Sequence, residues 1–438
     1  MNIKKIIVGI MFMPVMACMG QTTALPDDSL TFSSVVQQVI DNYPSIVKAQ
    51  KEIDAANAHI NLAKSAYYPD ININGSYTRI APVQEFDLSA LGLGLMKMNP
   101  ADNYSIALNL NQLIYDFGRT SKNKNIQESN KMVSELALEQ TKQQISLAAA
   151  VTFYNIAFLQ QAIKIKDEEL ATLQQHLDFV QKKLAAGTST QYEVLSTQVR
   201  ISTIENQKTD IETSLATQIS QLNSFLGRSQ QMQLFVKSEM LPDRILETTE
   251  NLTQTALENR IELKIAEEKK HTSEQKLGLL NAQYLPSLNL MAEGGWKNGM
   301  IPDINKFTAN YAVGAGLKIP IFDQGRTMYN KRATKSEIEA NEQDIELTKR
   351  EIANSVTESK SSIEAAQKKV QQSKMQLQQA QQAYKLAETS YQAGSITNLD
   401  LLDSYTNLAD TKLSLFKAEI DYTLNLLKLN IALGEKIY

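Results

Sequence analysis

Ile114-Tyr115-Asp116-Phe117-Gly118-Arg119-Thr120 and Ile321-Phe322-Asp323-Gln324-Gly325-Arg326-Thr327 are two versions of one seven-residue stretch, 207 residues apart. The offset holds without a gap through Ala186-Gly187 against Ala393-Gly394, and on to Leu226-Gly227 against Leu433-Gly434. Upstream it is 217: Asp41-Asn42 answers Glu258-Asn259, and Tyr67, Pro69 and Asn72 answer Tyr284, Pro286 and Asn289. It changes by ten only once, between the paired strand segments, where the first copy has the longer loop. A chain of 438 residues would by length alone hold about three domains. Two tandem copies of one unit override that count. They set boundaries at 29–227 and 247–434, with a linker at 228–246 and a tail at 435–438.

The punctuation around these stretches predicts very long helices. No Pro falls between Pro100 and Pro242 or after Pro320, and no Gly between Gly118 and Gly187 or between Gly325 and Gly394. The blocks 119–186 and 326–393, each 68 residues, are rich in Ala, Leu, Gln, Glu and Lys, all strong helix formers. One helix of that length reaches ~100 Å. Coiled coils, a helical tube or a stalk accommodate such lengths; a compact domain does not.

Each unit reads helix, strand, loop, strand, long helix, turn, helix. The strands alternate with period 2. Ile71, Ile73, Gly75 and Tyr77 share one face of the first, and Tyr104, Ile106, Leu108 and Leu110 one face of the second. Leu288, Leu290, Ala292 and Trp296 do so in the third, and Tyr311, Val313, Ala315, Leu317 and Ile319 in the fourth. The opposite faces carry Asn, Ser, Gly and the charges of Asp70, Glu293 and Lys318. Apolar outside and polar inside is the pattern of a transmembrane barrel, and aromatic residues at both strand ends suit its two girdles. Two soluble hairpins packed on helices fit the alternation as well. Four strands cannot close around a lumen, so a barrel would have to be shared between chains.

Composition narrows the function. Lys plus Arg is 44 and Asp plus Glu is 48, a net charge of −4 with no polybasic footprint, which argues against a nucleic-acid partner. Three His and one Cys exclude sites built from several Cys and His ligands, and any disulfide within the chain. Residues 1–20 read as an export signal: Lys4 and Lys5, then an apolar run Ile6–Met16 too short to span a bilayer, then small residues. Cleavage after Gly20 would remove Cys18 with the leader; the alternative is lipidation of Cys18, because Val15-Met16-Ala17-Cys18 approximates a lipobox. Loss of Lys4 and Lys5 takes the charge from −4 to −6. Beyond the leader no run of ~18 apolar residues is read, which excludes helical membrane spans. No catalytic constellation, cofactor motif or metal-ligand set is legible. His59, His176 and His271 are far apart in sequence and read as surface residues.

Four strands flanked by paired long helices, in tandem behind an export signal, resemble the outer-membrane efflux protein (TolC) family over about residues 29–434. Val39-Ile40-Asp41-Asn42-Tyr43-Pro44-Ser45-Ile46 resembles the family's opening helix, and Tyr67-Tyr68-Pro69 and Tyr284-Leu285-Pro286 its strand starts. The most specific stretches are the turns Ala186-Gly187-Thr188-Ser189-Thr190-Gln191-Tyr192-Glu193 and Tyr391-Gln392-Ala393-Gly394-Ser395-Ile396-Thr397-Asn398-Leu399-Asp400-Leu401-Leu402-Asp403. The resemblance implies a mainly α chain with a membrane β-barrel contribution: a homotrimer with a 12-stranded barrel in the outer-membrane lipid of a Gram-negative bacterium. Long α-helical hairpins would form a periplasmic α-barrel, whose tip meets a periplasmic adaptor (membrane fusion) protein and an inner-membrane pump. The implied function is a passive exit duct for efflux or type I secretion, without enzymatic activity. The competing class is an exported coiled-coil stalk or adhesin.

The resemblance also implies site residues, all at the tip. Asp400 and Asp403 match the acids of the family's narrowest aperture. Tyr391 and Glu193 match a polar link that holds the resting tip shut, while a second link is replaced here by Ile396 and Tyr192. Ala186, Gly187, Thr188, Ala393, Gly394 and Ser395 are the expected adaptor contacts. A simpler role competes for the acids, since Thr190 with Glu193 and Thr397 with Asp400 have capping-box spacing. Capping leaves Asp403, one turn further on, unexplained.

Overall fold

The computed structural model describes residues 29–87, 92, 95–97, 99–237, 240–241, 244 and 247–438. The leader and Cys18 lie outside the described residues. In chain order the elements are β1 (Ser29–Leu30), α1 (Phe32–Asn42), α2 (Pro44–Ser65), β2 (Asp70–Arg79), β3 (Glu85–Asp87), β4 (Leu95–Lys97), β5 (Asp102–Tyr115), α3 (Arg119–Ala185) and α4 (Gln191–Leu226). They continue with β6 (Phe235–Val236), α5 (Thr249–Asn259), α6 (Ile261–Ala282), β7 (Ser287–Lys297), β8 (Thr308–Lys318), α7 (Arg326–Gln392) and α8 (Asn398–Ala432).

The two long helices α3 and α7 are each 67 residues, ~100 Å. Both start by the same device, which explains the repeated heptapeptide. Gly118 and Gly325 precede the first helical residue with φ of 81° and 79°, a left-handed conformation that costs glycine nothing. The aspartate two residues earlier turns back to cap the helix. Asp116 accepts from the Gly118 and Thr120 amides at 3.0 and 2.7 Å and from the Thr120 hydroxyl at 2.7 Å. Asp323 accepts from the Thr327 amide at 2.8 Å and from the Tyr284 hydroxyl at 2.6 Å. The hydrogen bonds from Thr327 and Tyr284 hold the Asp323 carboxyl down at about 2.

The leading helix of each unit is broken in two. Tyr43 leaves the helix at ψ 128° because Pro44 follows it. Arg260, 217 residues on, adopts ψ 128° with no proline behind it. The duplicated architecture therefore fixes this break independently of the residue that imposes it in the first copy.

β2, β5, β7 and β8 form one antiparallel sheet in that order. Its register keeps the alternating faces apart. Ile71, Ile73 and Tyr77 sit opposite Leu110, Leu108 and Tyr104. Ile106 and Leu110 meet Trp296 and Ala292, and Ala292 and Leu288 meet Val313 and Leu317. Asn72 against Asn109 and Asn109 against Glu293 lie on the other face. The apolar face is uncovered: Ile73 is 69% exposed, Val313 70% and Tyr311 85%. β2 and β8 are the outer strands, each with one edge that no other described strand pairs.

The main core lies where the shorter helices cross the long ones. Phe153, Tyr154 and Ile156 of α3 pack with Val35 and Val39 of α1, Leu222 of α4 and Leu427 of α8. A second cluster joins α5, α6, α7 and α8 around Ile352, Val356 and Leu429. The parallel pair β1–β6 closes over the first cluster. One expectation is corrected here. α3 contains an 18-residue window of mean hydropathy 1.2, apolar and long enough to cross a membrane by composition. Half of that window is buried in the protein, as a core helix requires.

Candidate functional site

The two hairpins α3–α4 and α7–α8 end in turns of one design. Gly187 and Gly394 both take φ of 74°. Around them the Thr188 amide donates to the Lys183 carbonyl and the Ser395 amide to the Ser390 carbonyl, each at 2.9 Å. This pattern satisfies the last carbonyls of a helix and needs a left-handed residue at its corner. Ala186, Gly187, Thr188, Ala393, Gly394 and Ser395 are all exposed.

The expected caps form unequally. Thr397 and Asp400 make a complete box: the Thr397 hydroxyl accepts from the Asp400 amide at 3.2 Å, and Asp400 accepts from the Thr397 amide at 2.9 Å. Hydrogen bonds from the Thr397 hydroxyl and amide hold the Asp400 carboxyl below its usual range. In the first hairpin only half the box exists. The Thr190 hydroxyl accepts from the Glu193 amide, but the Glu193 carboxylate does not turn back to Thr190. It accepts from Ser189 at 2.8 Å and from the Tyr391 hydroxyl of the other hairpin at 3.1 Å. Tyr391 is 5% exposed. Burial, and then the bond to Glu193, push its phenol up to about 12.

Two partnerships escaped the sequence reading. His176 is half-buried in the tip, not an idle surface histidine. Its Nε2 lies 2.6 Å from the Asn398 Oδ1, and its ring meets Tyr391 edge-on at 5.4 Å. Asn398, 4% exposed, also donates to the Ser196 and Thr197 hydroxyls at 3.3 Å. One side chain at the start of α8 thus ties both helices of the first hairpin. Asp403 has a partner too: the Arg200 guanidinium of α4 donates to it. That ion pair accounts for an acid that capping could not. Tyr192 is 74% exposed and Ile396 half-buried, so neither is closed over by its own chain. Among the described residues no three His, Cys, Asp or Glu side chains gather as a metal site.

Known proteins agree with this architecture. The family model for "Outer membrane efflux protein" matches residues 35–228 and again 252–435. The outer membrane protein TolC of Vibrio cholerae is 22% identical over 410 residues, spanning 92% of this chain and 90% of that protein. The proteases secretion protein PrtF of Dickeya chrysanthemi is 21% identical over 54% of this chain and 52% of its own length. Among solved structures, the outer membrane protein VceC of Vibrio cholerae superposes with a TM-score of 0.76 at 19% identity, covering 93% of this chain and 97% of that one. With the model matched twice at the spacing of the internal repeat, the chain belongs to the outer membrane efflux protein family.

Proposed function

We propose that three copies of this chain assemble into one channel-tunnel, the passive exit duct of a tripartite efflux or type I secretion system. The family places the chain in the outer membrane, and it is a family of channels, not of enzymes. The observation that carries the trimer is the sheet. Four strands expose a continuous apolar face and two edges, β2 and β8, that no other described strand pairs, and inside a bilayer such edges must be paired. Three sheets joined edge to edge give twelve strands with the apolar face toward lipid. The polar face, with Asn72, Asn109 and Glu293, then lines the lumen. The hairpins form the periplasmic tube. In this reading residues 1–20 are the export leader, with Cys18 removed or lipidated, and the exposed turn residues meet an adaptor backed by an inner-membrane pump.

At the tip, Asp400 and Asp403 of three chains bring six carboxylates to the aperture. Tyr391 and Glu193 hold each pair of hairpins together in the closed state, and Ile396 and Tyr192 form an apolar contact between neighbours. A stalk or adhesin would leave the exposed apolar sheet without a role. Detergent-extracted protein should run as a trimer of the mature, leader-free chain and form discrete channels in planar bilayers. A monomeric soluble rod without conductance overturns the reading.

A further inference from the structure

Close to the turns, α3, α7 and α8 leave a cavity of about 200 Å³ between them. His176 and Phe179 of α3, Tyr384, Glu388 and Tyr391 of α7, and Tyr405 of α8 are among its walls. Five of these six are aromatic. Tyr384 and Tyr405 pack against each other, tilted by 54° with ring centroids 5.2 Å apart. The other rings already hold a cation: the Lys183 ammonium lies 4.9 Å from the Tyr391 centroid and 5.6 Å from that of Phe179. Tyr384 and Tyr405 have no such ammonium among the described residues. Among the described residues the Glu388 carboxylate has no hydrogen-bond or ion-pair partner, and its side chain is exposed.

Glu388 is the only Asp, Glu, Lys or Arg among the lining residues. The Tyr384 phenol is pushed up by burial and then by Glu388. Tyr405 is pushed up by burial, with Glu169 and Glu168 adding to it. An anion there would face the Glu388 carboxylate. A hydrated metal ion needs several oxygen ligands, and one carboxylate among neutral phenols does not supply them. A positive charge spread over an organic group is what aromatic faces and a lone carboxylate recognise together. Pockets for drug-sized ligands run to about 300–1,000 Å³, so this smaller space suits a cation of one ring and one quaternary ammonium head.

We propose that this cavity is a binding site for a small organic cation, held against the touching rings of Tyr384 and Tyr405 and neutralised by Glu388. Its walls come from both hairpins, α3 on one side and α7 with α8 on the other. The occupant therefore bridges them and stabilises their present packing by mass action. The site is complete within one chain and does not rest on the trimer or the channel.

The test is a calorimetric titration of the full-length, detergent-purified protein with phenyltrimethylammonium. One saturable site per chain is expected. Glu388→Gln, on an exposed side chain that no fold contact needs, should weaken binding about fivefold, the effect of one charge pair at close range in water. Tyr384→Leu should weaken it about tenfold by removing one aromatic wall. The uncharged isostere tert-butylbenzene should not displace the probe. Absence of saturable binding, equal affinity in Glu388→Gln, or full displacement by tert-butylbenzene overturns the proposal. Should Tyr384→Leu fail to fold, Glu388→Gln and the uncharged probe still decide it.

Discussion

Tyr391→Phe removes one hydroxyl and keeps the ring, so it isolates the bond that ties α7 to α4. The hydroxyl donates to a carboxylate at 3.1 Å from a side chain that is 5% exposed. A hydrogen bond to a charged acceptor in such a site contributes ~1.5–3 kcal/mol. The lower end applies, because Ser189 goes on donating to the same Glu193 oxygen. Three copies in a symmetric tip then contribute ~4.5 kcal/mol, about three orders of magnitude in the ratio of closed to open tips. Glu193→Gln keeps an acceptor and loses only the charge, so its effect should be smaller, ~0.5–1 kcal/mol per copy.

Single-channel recording without adaptor, with the melting temperature taken on the same samples, separates this latch from mere packing. A latch predicts higher conductance in both variants, larger for Tyr391→Phe, with modest change in melting. The pH dependence gives a second readout. The Tyr391 phenol sits at about 12 in the folded protein, above its ordinary value of about 10. Its contribution is therefore complete below about pH 10 and lost as pH rises through about 12. Wild-type conductance should climb across that window, and Tyr391→Phe should lack the step. Wild-type conductance in both variants, with only melting lowered, refutes the latch.

Three further outcomes are expected. Leu290→Arg should block assembly, since a cation on the lipid face costs ~2–4 kcal/mol at mid-bilayer, whereas Asn289→Arg on the polar face should assemble; equal yields of trimer would reject the face assignment. Asp400→Ala combined with Asp403→Ala should weaken cation preference and block by trivalent cations in planar bilayers, and unchanged selectivity would leave these acids only their Thr397 box and Arg200 pair. Gly434→Ala should lower the melting temperature more than Gly227→Ala. Both glycines have positive φ, but a Cβ on Gly434 would stand 2.7 Å from the Asn259 carbonyl carbon while one on Gly227 meets nothing within 4 Å, so the first adds overpacking of ~1–3 kcal/mol to the shared strain.

What the sequence made legible was whatever recurs locally. Gaps between glycines bound the long helices to within one residue, because only helix-breaking residues end such runs. Period-2 alternation sorted the strand faces correctly, because a pleated strand has only two sides. Partnerships across distant segments leave no such trace. Nothing near His176 announces Asn398, 222 residues away, and nothing in a Thr-x-x-Glu pattern says that the Glu193 carboxylate will leave its own cap for Tyr391. Nothing in the sequence links Arg200 with Asp403, 203 residues away, until α4 and α8 are laid side by side. The two-residue strands β1 and β6 are too short for any periodic signal.

The matched lengths of α3 and α7, 67 residues each, constrain how the chain can change over evolutionary time. One inserted residue displaces everything beyond it by ~1.5 Å along the axis and turns it by about 100°. An insertion in α3 alone would carry Glu193 away from Tyr391 and turn His176 off Asn398. Inserting in α3 and α7 together is not enough either, since the return helices α4 and α8, 36 and 35 residues, must lengthen in step. Tolerated changes of tube length should come as four coordinated edits of whole turns. Lone insertions belong in the loop between β2 and β5, the one place where the two repeats already differ by ten residues.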